Sequence, residues 1–251
     1  MTDTPGTRSG AAPPPAGGGF AVVELFTSQG CNSCPPAEEL LSEIESDARE
    51  RGQPVYALGF HVDYWDHLGW ADPYGDAAHT RRQEAYARAF RARGLYTPQM
   101  IVNGTVEFVG SDRRQASSAI ASALTEEAAV PLGLSVEDLA EGTGGGCRVV
   151  VNYQAERPPE RAVLNVAAVE RGLENDVPRG ENAGRRLRQD NVVRAFTSAQ
   201  LAQDPGRGRL ELELSSELDP RHASVVGYVQ NEDDKSIVGV AAVDLSARLT
   251  R

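Results

Sequence analysis

The sequence predicts an α/β domain, built from a parallel βαβ unit, a β-hairpin and a closing helix, followed by a β-rich, sandwich-like domain. Three observations predict it. Short apolar runs alternate with stretches of helical periodicity as far as residue 129. An Asn-Gly pair, Asn103-Gly104, separates two short apolar runs, the signature of a tight hairpin. Beyond Pro131 helical periodicity stops, and stretches that alternate apolar and polar residues take over, as strands with one buried face do. The chain therefore divides into a tail, 1–19, an α/β domain, 20–129, and a β-rich domain, 130–251.

Each element has its own signal. Phe20 to Phe26 is an apolar run bounded by glycines and polar residues, which suits a buried strand. Ala37, Leu40, Leu41, Ile44 and Ala48 then recur at helical spacing among glutamates, and Gly52 ends the helix. Pro35 and Pro36 fit its first turn, where a missing N–H has no intrahelical partner to lose. Pro54 to Val62 is a second strand, and the strand–helix–strand order implies a parallel pair with a right-handed crossover. Asp63 to Gly75 is an aromatic, acidic loop, and Ala77 to Arg93 a charged helix. Met100 to Val102 and Val106 to Val109 are the hairpin strands, and Arg113 to Ala128 is the last helix. The later strands are Leu132–Val136, Cys147–Tyr153, Ala162–Val169, Leu210–Leu214, Ser224–Val229 and Ile237–Val243. Gly142 to Gly146 reads as a turn, and the basic run Arg179 to Gln189 as a loop or extended arm.

Composition narrows the function. In 251 residues, 25 basic against 36 acidic side chains give a net charge of −11, which disfavours nucleic acid as a partner because its phosphates are neutralised by Lys and Arg. No stretch approaches the roughly 20 apolar residues of a membrane span. Met1 to Gly19, rich in Pro, Gly, Ser and Thr, lacks the basic and apolar regions of a signal peptide and reads as a disordered tail. Three cysteines are too few for a disulfide-stapled scaffold.

Two of those cysteines, Cys31 and Cys34, form a C-x-x-C at the junction of the first strand and first helix. A helix N-terminus carries about half a positive charge and favours a thiolate. A Cys31 thiolate could attack a partner disulfide, and Cys34 could then resolve the mixed disulfide. The same pair could be half of a zinc site, although no second C-x-x-C exists and the four histidines are scattered. It could also be two inert buried cysteines. Thr97-Pro98, just before a strand, is a place where a cis peptide bond could lie, against the plain alternative of a trans bond entering an edge strand.

The order of elements and these two landmarks resemble the thioredoxin fold from Phe20 to Ala129. More narrowly, VVELFTSQGCNSCPPAEELL, FHVDYWDHLGW, YTPQMIVNG and RGENAGRRLRQDNVVRAF resemble a bacterial, mostly secreted thioredoxin-like family known only as a domain of unknown function. The resemblance implies Cys31 as nucleophile, Cys34 as resolving thiol and a cis Pro98 shaping a substrate groove beside Thr97. It also implies that Glu24, in the strand before the motif, is a buried acid that moves a proton for Cys34; the alternative is a solvent-side carboxylate. The chain departs from thioredoxins in its Asn32-Ser33 pair, which lacks the proline common there.

His61, Asp63, Tyr64, Trp65, Asp66 and Trp70 follow the second strand. Ligand sites of parallel α/β sheets gather at the carboxyl ends of strands, so this loop is expected to rim the dithiol, with His61, Asp63 and Trp65 contacting substrate. The structural alternative is a loop packed by its tryptophans. His61 with Cys31 and Cys34 would also make a soft-metal trio for copper(I) or zinc. Cys147 is expected to be a small buried hydrophobe. Arg179, Arg185, Arg186 and Arg188 are expected to form a solvated basic face, with an acidic partner as the alternative.

The resulting expectation is a thiol–disulfide oxidoreductase acting on protein or small-molecule thiols and disulfides, with no cofactor or metal beyond the Cys31–Cys34 pair. The alternatives are a copper or zinc handling protein using the same cysteines, and a non-catalytic binding module. The sequence as it stands suggests the cytoplasm; the resemblance suggests the periplasm or secretion.

Overall fold

The computed structural model describes residues 18–137, 140–141, 146–201 and 206–246. Most of the expected tail (1–17) and most of the Gly142–Gly146 turn lie outside the described residues. Among the described residues fourteen strands and three α-helices follow one another: β1 (Ala21–Thr27), α1 (Pro35–Arg51), β2 (Val55–His61), α2 (Ala77–Phe90), β3 (Gln99–Val102), β4 (Val106–Val109), α3 (Arg113–Ala123), β5 (Leu132–Val136), β6 (Ala140–Glu141), β7 (Cys147–Ala155), β8 (Ala162–Glu170), β9 (Leu173–Val177), β10 (Arg185–Gln189), β11 (Val192–Gln200), β12 (Arg207–Leu214), β13 (Ala223–Asn231) and β14 (Ile237–Asp244).

The protein is a mixed α/β structure around one large, mostly antiparallel sheet, in the order β14-β13-β8-β11-β2-β1-β3-β4. β1 and β2 run parallel over their whole length, from Ala21 opposite Val55 to Thr27 opposite His61, as the βαβ reading requires. β3 and β4 pair antiparallel about the Asn103-Gly104 turn. Both turn residues have positive φ (46° and 74°), the combination that Asn-Gly accepts at little cost. α1 opens with Cys34 as its cap and two prolines in its first turn.

The sheet is continuous across residue 130. β11 pairs parallel with β2 at Val192 and Gly59, and β8, β13 and β14 extend the sheet outward from it. β11 and β9 carry no expected counterpart, and the run 179–189, read as a loop or arm, contains the strand β10. β9 and β10 pair antiparallel as a two-stranded ribbon apart from the larger sheets. β12, β7 and β5, with β6 on β7, form a second sheet. Its Leu134, Val149, Val151 and Leu212 pack with Leu164, Val166, Val225 and Val243 of the large sheet.

β1 supplies the core on both its faces, so it reads as an unbroken apolar run. Ala21, Val23 and Leu25 pack with Leu40 and Leu41 of α1. Val22 and Phe26 point the other way, into a cluster with Tyr86 of α2 and Tyr228 of β13. Burying side chains of this size contributes about 1.5–3 kcal/mol each. The alternation decides which residues of β1 can meet the cysteines.

Candidate functional site

β1 ends at Thr27, and the chain turns through Ser28, Gln29 and Gly30 to Cys31 before α1 begins. Cys31 and Cys34 form a disulfide, with their Cα atoms 5.5 Å apart. The backbone N–H of Cys34 donates to the Cys31 carbonyl (3.2 Å), closing the turn. Cys31 Sγ lies 3.3 Å from Ser33 Oγ and 4.0 Å from the Thr97 carbonyl oxygen. The Thr97–Pro98 bond is cis. Trp65 Nε1–H donates to Thr97 Oγ1 (2.8 Å), and Trp65 also packs against Gly30, where an added Cβ would lie 3.0 Å from that of Trp65. Cys31, Cys34, Thr97, Pro98 and Trp65 are thus brought together. Both cysteines are 0% exposed.

The other expected site residues sit elsewhere. Glu24 has the parity of Val22 and Phe26, so its carboxylate lies on the face of β1 turned away from α1. There it accepts from Arg82 Nε (2.7 Å), from Tyr228 (3.1 Å) and from Tyr86 at short range. Glu24 is buried, as expected, but it is not beneath Cys34; the alternation of a strand puts it on the wrong side of the sheet for that role. Asp63 is bound to the Thr80 hydroxyl of α2. His61 is buried and its Nδ1 lies 2.8 Å from Asp72 Oδ2. Among the described residues no three His, Cys, Asp or Glu side chains converge as metal-ion ligands, so His61 and the two cysteines do not assemble the trio considered as the alternative. Cys147 is free and half-buried at the start of β7 rather than fully buried. Arg179, Arg185, Arg186 and Arg188 are exposed; Arg186 pairs with Glu174 and Arg188 with Asp190.

An acid absent from the expected set lies on the helix itself. Glu38 is one turn after Cys34, its N–H donating to the Cys34 carbonyl (3.1 Å), and it is buried. Its carboxyl accepts from Thr27 Oγ1 (2.7 Å) and Gln189 Nε2 (3.5 Å). Burial pushes its pKa up, against the opposing pull of His61 and the Thr27 hydroxyl. Glu38 also lines a cleft of about 560 Å³ between α1 and β10, together with Pro35, Arg185 and Arg188. The sequence signal was its spacing: Glu38 adjoins the apolar stripe of α1, four residues after Cys34.

Gln29 joins this acid to the Asp72–His61 pair. Its side chain donates to Gln189 (3.2 Å) and Asn175 (3.1 Å) and accepts from Trp70 Nε1 (3.0 Å). Its backbone N–H donates to Asp72 Oδ2 (2.7 Å). Burial alone would raise the Asp72 pKa, but the His61 charge and three hydrogen-bond donors hold it below the usual carboxylate value. Burial likewise works against a charged His61, yet Asp72 outweighs it and moves the imidazole pKa up. The aromatic loop after β2 thus reaches the motif loop through Trp65, at Gly30 and Thr97, and through Trp70, at Gln29, and Asp72 binds the Gln29 backbone.

Fold and site together define a class: a mixed α/β protein whose helix entrance carries a disulfide facing a cis Thr-Pro turn. The chain belongs to the family described as Protein of unknown function (DUF1223), whose profile matches residues 22–230. Its fold is similar to the crystal structure of a protein from Agrobacterium tumefaciens, at 29% identity and a TM-score of 0.65, covering 89% of this chain and 93% of that one. It is also similar in fold to HBP35 of Porphyromonas gingivalis, at 13% identity and a TM-score of 0.61, covering 91% of this chain and 76% of the other. No curated protein sequence matches it. No helix among the described residues is long and apolar enough to cross a membrane.

Proposed function

We propose that residues 20–129 are a thioredoxin-like unit and that the protein is a thiol–disulfide oxidoreductase acting on protein or small-molecule substrates through Cys31 and Cys34. The observation that carries this reading is the Cys31–Cys34 disulfide at the entrance of α1, with the Thr97 carbonyl 4.0 Å from Cys31 Sγ. The β1–α1–β2 order, with β3 antiparallel beside β1, supports it.

In the reduced protein the Cys31 thiolate attacks one sulfur of a substrate disulfide. A mixed disulfide forms and the substrate's other sulfur leaves as a thiolate. The Cys34 thiolate then attacks Cys31 Sγ, the Cys31–Cys34 bond closes, and the second substrate sulfur leaves. Two electrons have passed to the substrate. Cys34 must lose its proton before it attacks, and Glu38 is the acceptor we assign: it is buried one turn away, its pKa is raised, and the cleft along α1 gives the proton an exit. Thr97 and Trp65 are assigned to hold the substrate chain beside Cys31. The Ser33 hydroxyl, 3.3 Å from Cys31 Sγ, can donate to a thiolate there. A cysteine pair joined as a disulfide fits an oxidising compartment, so we propose a periplasmic or secreted location.

The test is turnover of insulin disulfides with dithiothreitol as reductant, by the protein and by its Cys31→Ser variant. Catalysed precipitation of insulin chains by the protein, abolished in Cys31→Ser, is the expected result. Equal rates for the two, no higher than dithiothreitol alone, would refute the reading. Copper or zinc bound stoichiometrically after reducing purification, and lost in Cys31→Ser, would replace it with metal handling.

A further inference from the structure

We infer that the β9–β10 ribbon is a hinged cover over the Cys31–Cys34 disulfide, and that its tip, residues 178–184, must lift before any thiol reaches Cys31; this rests on the exchange reading and concerns regulation of that same site. Both sulfurs are fully buried, although disulfide exchange needs an in-line approach to the attacked sulfur. The tip supplies much of that cover. Asn182, itself fully buried, donates from one amide nitrogen to the carbonyls of Gln29 (2.9 Å) and Cys31 (2.8 Å). Glu181 Oε2 accepts from the backbone N–H of Asn32, between the two cysteines (3.0 Å). Gly180 faces Gly30, where an added Cβ would make ordinary van der Waals contact, 3.6 Å from the Gly30 Cα.

The ribbon is built to move as one piece. β9 and β10 pair with each other and with neither large sheet. They are flanked by Gly172 and Asn191, both with positive φ (73° and 58°); Gly172 is free to rotate, while the Asn191 carbonyl, bound to the Gly59 N–H of β2 (2.7 Å), fixes the far side of the hinge. The two ends are drawn together by the Gly172 N–H donating to Asp190 Oδ1 (2.7 Å). The Asn191 side-chain nitrogen is buried without a hydrogen-bond partner, so part of this hinge is left unsatisfied in the closed state. At the tip the contacts are hydrogen bonds from Asn182 and Glu181 and the Gly180–Gly30 approach; nearer the hinge Asn175 and Gln189 bond Gln29, Gln189 bonds Glu38, and Val177 and Leu187 are buried, so the tip, residues 178–184, is the part that a substrate chain displaces. An extended peptide entering beside Thr97 would take the place of the tip and supply its own carbonyls and amides to the motif loop.

The test is reduction of the Cys31–Cys34 bond in the full chain by dithiothreitol, read by acid quench and thiol labelling. One dithiothreitol sulfur attacks Cys31 and breaks the bond. Its second sulfur then closes the six-membered ring, releasing both protein thiols and transferring two electrons. The wild-type rate is expected to level off as dithiothreitol rises, because opening becomes limiting. Asn182→Ala, which removes both hydrogen bonds from the tip to the motif loop and one from Arg185 within the ribbon, is expected to raise that plateau about tenfold. Glu181→Ala is a second variant on an exposed side chain, for use if Asn182→Ala fails to fold, and is expected to raise the plateau about threefold. A wild-type rate that stays proportional to dithiothreitol, with folded variants matching it, would overturn the cover. The two proposals fail separately. Accelerated reduction in the variants with no insulin turnover by any form leaves the cover and removes the oxidoreductase reading. Insulin turnover with unchanged reduction rates does the reverse.

Discussion

Arg82 of α2 and Glu24 of β1 form a buried ion pair at 2.7 Å, with Glu24 0% exposed. Arg82 also lies over the rings of Phe60, Tyr86, Phe196 and Tyr228 and donates to Gln230 (3.2 Å). The pair therefore ties β1 and α2 to β11 and β13, which come from the far end of the chain. Removing one member leaves the other charge buried without its counter-charge, with only neutral hydrogen-bond partners. Arg82→Met is predicted to cost about 3–5 kcal/mol, read as a lower urea midpoint, while Tyr228→Phe costs about 1 kcal/mol.

Glu38 gives a pH dependence of defined sign. Its pKa in the folded state is above the ordinary 4.5, chiefly through burial. The folded protein then binds a proton that the unfolded chain has released, so this carboxyl lowers stability as pH rises from its ordinary value through the raised one. Glu38→Gln keeps the hydrogen-bonding shape without a charge. It is predicted to flatten that slope in denaturant melts taken across the acid range. It is also predicted to lengthen the lifetime of a Cys31 mixed disulfide by roughly a hundredfold, the scale of a lost general base. A merely structural Glu38 would leave that lifetime unchanged.

The His61–Asp72 pair carries two opposite slopes. The Asp72 pKa is lowered, so its contribution is held above the ordinary carboxylate value and lost as pH falls through the lowered one. The His61 pKa is raised, so its contribution is whole below the ordinary value of 6.5 and lost as pH rises through the raised one. Asp72→Asn leaves His61 buried without its counter-charge. We predict a loss of about 3–5 kcal/mol near pH 6, and in place of the wild-type fall above 6.5 a rise in stability with pH below 6.5, because burial alone drives the imidazole pKa down. Urea midpoints measured from about pH 4 to 9 read both effects.

Position 104 of the β3–β4 turn is predicted to be intolerant of any side chain. Gly104 has φ +74°, and a Cβ there would lie 1.9 Å from the backbone oxygen of Lys235 in the β13–β14 turn. Gly104→Ala is predicted to cost more than about 2 kcal/mol, measured as a lowered thermal midpoint, from the strained φ and the clash together.

Local chemistry explains what the sequence showed and what it hid. The β1–α1–β2 run was legible because apolar period, paired prolines and a terminal glycine all act within a few residues. The 103–104 turn was legible because Asn-Gly accepts positive φ. β10 was not, because Arg185, Arg186 and Arg188 surround one buried apolar residue, Leu187, in a strand whose partner is only β9. The junction of β11 with β2 joins Val192 to Gly59 across more than half the chain, a distance at which no pattern speaks. In the site, the cysteines, Thr97-Pro98 and Trp65 were found by motif. Glu24 was misplaced because alternation tells that successive residues face opposite ways, not which face α1 covers. Asn182 and Glu181 were missed because a polar turn residue gives no sign in sequence of the distant backbone it will bind.

The most direct measurement of the central claim is the equilibrium of the Cys31–Cys34 couple against graded glutathione and dithiothreitol buffers, read as the alkylated mass of the two cysteines. A redox-active pair is predicted to interconvert reversibly, as one two-electron step, at a potential above about −300 mV. A pair that stays oxidised down to lower potentials, or that unfolds the protein when reduced, would contradict the account and mark the bond as structural.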